Sequence, residues 1–388
     1  MDKNLAQHAA DLDALADIAE SVKRFAQREI APHVGPWDDA GEFPRALYRQ
    51  AAELGLLALG YPEALGGTPA SWRLRNAMTV ALCRYGGSGG VLASLFSHNI
   101  GLPPVLHHGS PPLQQAVIPA VLRGEKIAAL AITEPGAGSD VAALRTTARR
   151  DGADYVLDGE KVFITSGMRA DYITVAVRTS ESKGAGGISM ILVPGDSPGL
   201  SRHALQKMGW WCSDTAHLRF EAVRVPATHL LGEEGGGFKM IMGNFNGERL
   251  AMSAGALGFA QACYDEALDW ARQRKTFGSL LTDKQVIRHK LVDMQMRIAS
   301  TQAWVEALAD RADAGEHGAE WVAQVCMLKN HATQTMQFCA DQSVQILGGM
   351  GFMRGTKSER IYREVKVMMI GGGAEEIMKD LAARQLGL

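Results

Sequence analysis

The spacing of apolar residues changes twice along this chain of 388 residues, and no other sequence feature limits the fold as strongly. Apolar residues recur at helical steps up to about residue 125, alternate between about 126 and 235, and return to helical steps afterwards. One face of a helix collects every third or fourth residue, whereas a strand alternates between two faces. We therefore predict an α+β fold with a helical domain over 1–125, a β domain over 126–235 and a helical domain over 236–388.

Each segment carries its own pattern. The first stripe, which ends near Pro32, consists of Leu12, Leu15, Ile18, Val22 and Phe25. In the middle segment, Asp158-Gly159 predicts a hairpin, and Pro194 and Pro226 predict strand ends, so we expect a compact antiparallel barrel or sandwich.

The last segment begins after three consecutive glycines at 235–237, and its breaks near 279–283, 313–319 and 348–358 separate long helices. These helices predict a four-helix bundle. Its apolar faces comprise Ile287, Leu291, Met294, Ile298, Val305 and Leu308, then Val325, Leu328, Ala332, Met336 and Cys339.

Composition and charge exclude several classes of protein. Lys plus Arg (40) nearly balances Asp plus Glu (42), which argues against a basic nucleic-acid-binding domain. Charges or glycines interrupt every apolar stretch well before 18 residues, so we expect no membrane span. The five cysteines form no C-x-x-C pair, and the first 20 residues lack an apolar signal region, so we expect a reducing, cytoplasmic location.

Common cofactor signatures are missing from the sequence. We find no phosphate-binding P-loop, no G-x-G-x-x-G between a strand and a helix, and no zinc-type spacing of Cys and His. We therefore expect no Rossmann dinucleotide site and no metal site.

Two glycine-rich and hydroxyl-rich loops belong to the predicted β domain. In the segment 131–140, Thr133 and Ser139 offer hydroxyls, while Gly136 and Gly138 allow a ligand to approach the backbone. In the segment 163–167, an aromatic ring and a hydroxyl are two residues apart and would share one face of a strand. Together these loops indicate a site for a polar ring or a phosphate.

These loops occur in one order with four further motifs, and the whole chain resembles the acyl-CoA dehydrogenase family. The motifs are TEPGAGSD (133–140), FITSG (163–167), KMGWWCSDT (207–215), RKTFG (274–278), QILGGMGF (345–352) with ERIYREVKV (359–367), and GGGAEEIMKDLAAR (371–384). The resemblance implies a helical domain, a β domain and a four-helix bundle. It also implies FAD bound without a Rossmann fold, an acyl-CoA substrate, electron-transfer flavoprotein as the acceptor, and a homotetramer or dimer.

The resemblance also implies roles for individual residues. The flavin ring would be contacted by Ile132 and Thr133, stacked by Phe163 where relatives commonly have Trp, and hydrogen-bonded near N5 by Thr165. Ser139 would lie between FAD and CoA. The remaining FAD contacts, several of them to a neighbouring subunit, would be Arg274, Thr276, Phe277, Gln285, Gln345, Gly348, Gly349, Ala374 and Glu376. The thioester or pantetheine would be bound by Asn246, Arg249, Gly372, Gly373 and Arg384.

The catalytic base departs from the common family pattern. Many members place a glutamate where this chain has Gly372, which has no side chain to titrate. The isovaleryl and long-chain branches instead use a glutamate matching Glu248, so we predict Glu248 as the base. Glu375 and Glu376 are weaker candidates, because acids in a first helical turn also favour the helix dipole.

The glycine at 372 leaves open space near the α and β carbons, and this favours long or methyl-branched acyl chains. Three alternatives stay open. They are an acyl-CoA oxidase, another flavin oxidase or monooxygenase on the same scaffold, and a relative that is not catalytic.

Overall fold

The computed structural model describes residues 2–182 and 184–388, with side chains from residue 12 onward. The helices are α1 (Asp2–Phe25), α2 (Val34–Ala40), α3 (Ala46–Glu53), α4 (Trp72–Gly86), α5 (Gly89–Leu95), α6 (His98–Gly101), α7 (Pro103–His108), α8 (Pro111–Leu122), α9 (Gly237–Gln273), α10 (Gln285–Asp313), α11 (Ala319–Leu347), α12 (Gly349–Phe352), α13 (Lys357–Ile370) and α14 (Glu375–Leu386). The strands are β1 (Ala128–Ala131), β2 (Thr147–Asp151), β3 (Asp154–Thr165), β4 (Tyr172–Arg178), β5 (Ile188–Pro194), β6 (Leu200–Ala204), β7 (Thr215–Pro226), β8 (Leu230–Leu231), β9 (Lys275–Thr276) and β10 (Ser279–Leu280).

This order of helices, strands and helices confirms the predicted α+β class. The apolar faces predicted for the long helices are buried, for example at Leu291 and Met294 on α10 and at Leu328 on α11. Strands β5 and β7 end at the predicted prolines. The helical period and the proline stops therefore identified these elements correctly.

The chain forms two compact units. The helical unit comprises Met1–Pro36, Ala70–Leu92 and Arg249–Leu388, and the β unit comprises Trp37–Pro69 and Ala93–Glu248. The division into three domains drawn from the sequence stays a prediction. No helix in the described part of the chain combines the length and the apolar character needed to cross a membrane.

The sheet of the β unit has the strand order β6-β7-β3-β2-β4-β5-β8, and β1 joins it by pairing with β4. Most pairs are antiparallel, but β1 runs parallel to β4 from Ala128↔Tyr172 to Ala131↔Val175. The expectation of a purely antiparallel domain was therefore wrong. The reason is that no tight turn joins β1 to β4. A long loop, β2 and β3 lie between them in the chain, and a connection of this length allows parallel pairing.

The predicted hairpin at Asp158-Gly159 was also wrong, because both residues lie within β3. The turn between β2 and β3 uses Gly152 instead, with φ of 62°. At Gly159 the pairing of β3 with β7 shifts register, and a Cβ there would lie 2.7 Å from Thr146 Cα. This glycine therefore marks a bulge and a close backbone approach.

The core of the β unit lies on both faces of β4 and β5. One face packs with helices α7 and α8 through residues such as Val105, Val117 and Met190. The other face packs against β3 and β7, and Val175 and Leu218 belong to this second cluster. Strand β1 lies in this packed layer, so the loop that follows it starts from a rigid base.

In the helical unit, α4 crosses α9 at very short range. A Cβ on Gly258 would lie 2.5 Å from Val80 O and 2.7 Å from Cys83 Cβ. Further along the same pair of helices, Arg84 forms a two-bond ion pair with Asp265 at 2.7 and 2.9 Å. The absence of a side chain at 258 therefore sets the spacing of α4 and α9.

We predict that Gly258→Ala lowers the free energy of unfolding by about 1–3 kcal/mol, because the added methyl group forces two backbones apart. Gly243→Ala on the same helix is the matched control, since its Cβ would meet no atom within 4 Å and alanine favours helix. Urea denaturation of both variants measures the difference. Equal midpoints for Gly258→Ala and the parent would contradict the close crossing.

Candidate active site

The loop after β1 lies against β3. Val162 N donates to Thr133 O at 2.8 Å, and Lys161 Nζ donates to Ile132 O at 2.9 Å. Ile132 is buried, Thr133 is half-buried and Ser139 is exposed. The structure therefore brings the predicted flavin-contacting loop next to the strand that carries Phe163.

Phe163 has a left-handed backbone with φ of 63°, and its side chain is 68% exposed. The pairing of β3 with β7 shifts register between Lys161 and Ile164, so the ring sits on a bulge. Thr165 follows and is half-buried. A bulky residue at positive φ is a genuine outlier, which points to a functional role for this ring.

The turn that follows Phe163 is fixed by the 207–215 motif. Asp214 accepts hydrogen bonds from Met168 N at 2.8 Å and from Arg169 Nε at 3.0 Å. Ser166, whose φ is 60°, donates its N–H to Asp214 O. Two motifs that are almost 50 residues apart therefore form one supported turn.

A second exposed aromatic ring occurs at the hairpin of β9 and β10. The two-residue loop consists of Phe277 and Gly278, with φ of 51° and 81°. Positive φ at both positions is typical of a type I′ turn, in which Asn-Gly is the usual pair. Phe277 is fully exposed, Arg274 is exposed and Thr276 is half-buried.

The other predicted FAD residues of the helical unit lie at helix ends. Gln285 is the first residue of α10, and Gln345 lies in the last turn of α11. Gly348 ends α11 with φ of 61°, and Gly349 follows it. All four are exposed.

The triple-glycine loop between α13 and α14 is held by donors from α9 and α11. Arg249 Nε donates to Gly372 O at 3.0 Å. Lys329 Nζ donates to Met369 O at 3.0 Å and to Gly373 O at 2.8 Å. Gly372 and Gly373 have φ of 67° and 115°, values that favour glycine. The structure thus brings together Arg249 and Gly372, two of the residues predicted to bind the thioester or pantetheine.

The carboxylates proposed as bases have different surroundings. Glu248 is half-buried on α9, with its Oε2 atom shielded from solvent. Glu375 accepts a hydrogen bond from Gln334 Nε2 at 3.2 Å, and Glu376 is exposed. These surroundings match a helix-start role for the latter two.

The remaining predicted residues lie on α9 and α14. Asn246 is half-buried on α9, Ala374 is the N-cap of α14, and Arg384 is exposed and donates to Asp380 O. The individual roles of all these residues stay predictions.

The sequence analysis missed two fully buried lysines beside these loops, Lys161 and Lys329. Both could have been found from the same periodicity. Lys161 continues the inward alternation of Tyr155 and Leu157, and Lys329 lies four residues after Val325 on the buried face of α11.

Comparisons with known proteins identify the class of this enzyme. The family models of the acyl-CoA dehydrogenase N-terminal, middle and C-terminal domains match residues 13–125, 129–223 and 235–387. Cyclohexane-1-carbonyl-CoA dehydrogenase of Geobacter metallireducens is 35% identical, covering 95% of this chain and 96% of its own. The mitochondrial long-chain specific acyl-CoA dehydrogenase of Rattus norvegicus is 37% identical, covering 95% and 85%.

Solved structures agree with this result. A Mycobacterium smegmatis chain described as an acyl-CoA dehydrogenase has a TM-score of 0.93 and 43% identity, covering 96% of this chain and 97% of its own. The protein belongs to the acyl-CoA dehydrogenase family and is therefore a flavin-dependent oxidoreductase of acyl-CoA thioesters.

The residues of this chain fit a flavin. Phe163 and Phe277 expose aromatic faces on strained backbone, Thr133 and Thr165 supply hydroxyls, and the exposed Arg274 guanidinium suits a pyrophosphate. The exposed face of Phe163 is open to stacking by a bound planar ring.

We predict that Phe277→Gly raises the free energy of unfolding of the apoprotein by up to about 1 kcal/mol, because glycine relieves the left-handed strain. The same change weakens FAD binding by removing the exposed ring. Ala222→Gly is the control, because Ala222 also has positive φ, at 51°, and has no predicted role. Thermal unfolding and FAD titration of both variants measure the two effects. Loss of stability in Phe277→Gly would contradict the strain.

Proposed function

We propose that this protein is an acyl-CoA dehydrogenase that uses FAD and converts an acyl-CoA into a trans-2-enoyl-CoA, with Glu248 as the base. One observation carries the proposal. Gly372 occupies the position of the usual family base, and its carbonyl is held by Arg249, the residue next to Glu248 on α9. The triple-glycine loop, which has no titratable side chain, is thus hydrogen-bonded to α9, the helix that carries the Glu248 carboxylate.

Glu248 removes the proton from the α carbon of the thioester. A carboxylate is a suitable general base for this carbon, since the adjacent carbonyl stabilises the developing negative charge. Bound FAD would supply the acceptor, at its N5, for the hydride that leaves the β carbon. The product is the trans-2-enoyl thioester.

The thioester oxygen is stabilised by a backbone donor in the triple-glycine loop. Arg249 and Lys329 hold the carbonyls of Gly372 and Gly373, which fixes the orientation of the peptide groups between them. The fixed peptide groups carry the N–H of Gly373 and of Ala374, and a backbone N–H beside Gly372 is the proposed donor to the oxygen. One such oriented donor lowers a barrier by about 3–4 kcal/mol in other enzymes.

FAD is held by Ile132, Thr133, Phe163 and Thr165, with Ser139 between FAD and CoA. The Arg274 hairpin, the start of α10 and the end of α11 reach the FAD of a neighbouring subunit in a homotetramer or dimer, and Ala374 and Glu376 at the start of α14 also contact FAD. Electron-transfer flavoprotein reoxidises the enzyme, and the compartment is the cytoplasm.

The substrate class is a long or methyl-branched acyl-CoA, and the branch is the one that carries its base on the first bundle helix. Two features support this proposal. Gly372 leaves out the side chain that other members place there, and NGERLAMSA together with IGGGAEEIMK resembles the long-chain branch.

We predict that Glu248→Gln slows anaerobic flavin bleaching by about 10²- to 10⁴-fold, because the general base is lost. Glu375→Gln is the matched control, because it removes a carboxylate near the triple-glycine loop and keeps parental rates. Stopped-flow measurements with straight, methyl-branched and long acyl-CoAs give the rates and the chain preference together. Parental bleaching by Glu248→Gln, with loss in a control variant, would assign the base elsewhere.

A separate experiment distinguishes the dehydrogenase from an oxidase on the same scaffold. We predict that the enzyme reduced by acyl-CoA reoxidises rapidly with electron-transfer flavoprotein and at least about 100-fold more slowly with air. Each tenfold difference in rate corresponds to about 1.4 kcal/mol of activation barrier. Absorbance at the flavin band records both reactions. Rapid reoxidation by oxygen would favour an oxidase or a monooxygenase, and no bleaching by any acyl-CoA would favour a relative that is not catalytic.

A further inference from the structure

Lys161 is a fully buried lysine behind the predicted flavin-contacting loop of the β unit. Its Nζ donates to Ile132 O at 2.9 Å and to Glu134 Oε1 at 2.8 Å. Glu134 is also buried, and both of its oxygens accept backbone hydrogen bonds, from Arg145 N at 2.6 Å and from Thr146 N at 2.9 Å. The ion pair therefore ties the loop to the start of β2 and to the middle of β3.

Both groups are charged at neutral pH. Burial lowers the pKa of Lys161 to about 8, and Glu134, the charged group that faces it, opposes this effect. Burial alone would raise the pKa of Glu134, but the Lys161 charge and the hydrogen bonds hold it below its usual value. The Lys161 ammonium therefore loses its proton in mildly alkaline solution.

The bond from Lys161 determines where the next peptide group points. In a planar trans peptide, the N–H of Thr133 is directed opposite to the carbonyl of Ile132. Because Lys161 draws that carbonyl inward, the Thr133 N–H is directed away from Lys161. The Thr133 carbonyl is fixed in turn by Val162 N.

We propose that Lys161 is a positioning residue for the cofactor: its ammonium, supported by Glu134, fixes the Ile132 carbonyl and so aims the Thr133 N–H at the flavin ring. This inference rests on the proposed function, because it takes FAD as the ligand of the loop. Lys161 itself touches neither substrate nor cofactor. It acts through the peptide group that joins Ile132 to Thr133.

The test measures the dissociation constant of FAD for the apoprotein at pH 7 by flavin fluorescence. We expect Lys161→Met to bind FAD about 10- to 100-fold more weakly, the effect of losing one charge-assisted hydrogen bond. Lys126→Met is the control, because Lys126 is an exposed lysine of the same unit that pairs with Asp171. Affinity of Lys161→Met equal to that of the control would overturn the proposal.

A double variant distinguishes the loss of positioning by Lys161 from the effect of leaving the Glu134 carboxylate buried without a cation. Lys161→Met leaves the Glu134 carboxylate buried without its cation, whereas Lys161→Met combined with Glu134→Gln removes both charges. We expect FAD binding to stay weak in the double variant, because the Ile132 carbonyl still lacks its donor. Recovery of parental affinity would overturn the proposal.

A pH titration of the parent decides the question even if the variants fail to fold. We expect the FAD dissociation constant of the parent to rise by about tenfold between pH 7 and 9.5, as Lys161 loses its proton and its charge. A flat parental profile would overturn the inference while leaving the proposed function intact. A parent that binds no FAD at any pH would refute the proposed function itself.

Discussion

Two buried lysine side chains hold two loops of the candidate site in place. A lysine charge in a protein interior is tolerated only when its hydrogen-bonding capacity is largely used. Lys161 uses it on the Ile132 carbonyl and Glu134, and Lys329 uses it on the carbonyls of Met369 and Gly373. In each unit, one buried lysine thus supplies hydrogen bonds to loop carbonyls that lack regular backbone partners.

The order of elements could be predicted because the hydrophobic period is a local property. Leu291 and Met294 are buried on α10 as their spacing requires, and Pro194 ends β5 as its missing N–H requires. The parallel pairing of β1 and the bulge at Gly159 could not be predicted. They depend on contacts between distant segments, such as the approach of Gly159 to Thr146.

The candidate site was located by its motifs, but its supports were not. The glycine-rich and aromatic loops were found because their residue types are unusual in sequence. Lys161 was overlooked because a lysine in an alternating segment is normally assigned to the solvent side, although its position continues the buried face of Tyr155. The left-handed conformations of Phe163 and Phe277 leave no trace in composition, since they arise from a bulge and a two-residue turn.

The left-handed conformation of Gly372 has an evolutionary consequence. An acid introduced at this position would have to adopt a backbone that ordinary L-residues avoid at a cost of about 1–2 kcal/mol, or break the bond from Arg249 to its carbonyl. A single Gly372→Glu change would therefore be penalised before it could contribute to turnover. With Glu248 as the base, the backbone at 372 thus favours keeping the acid on the bundle helix.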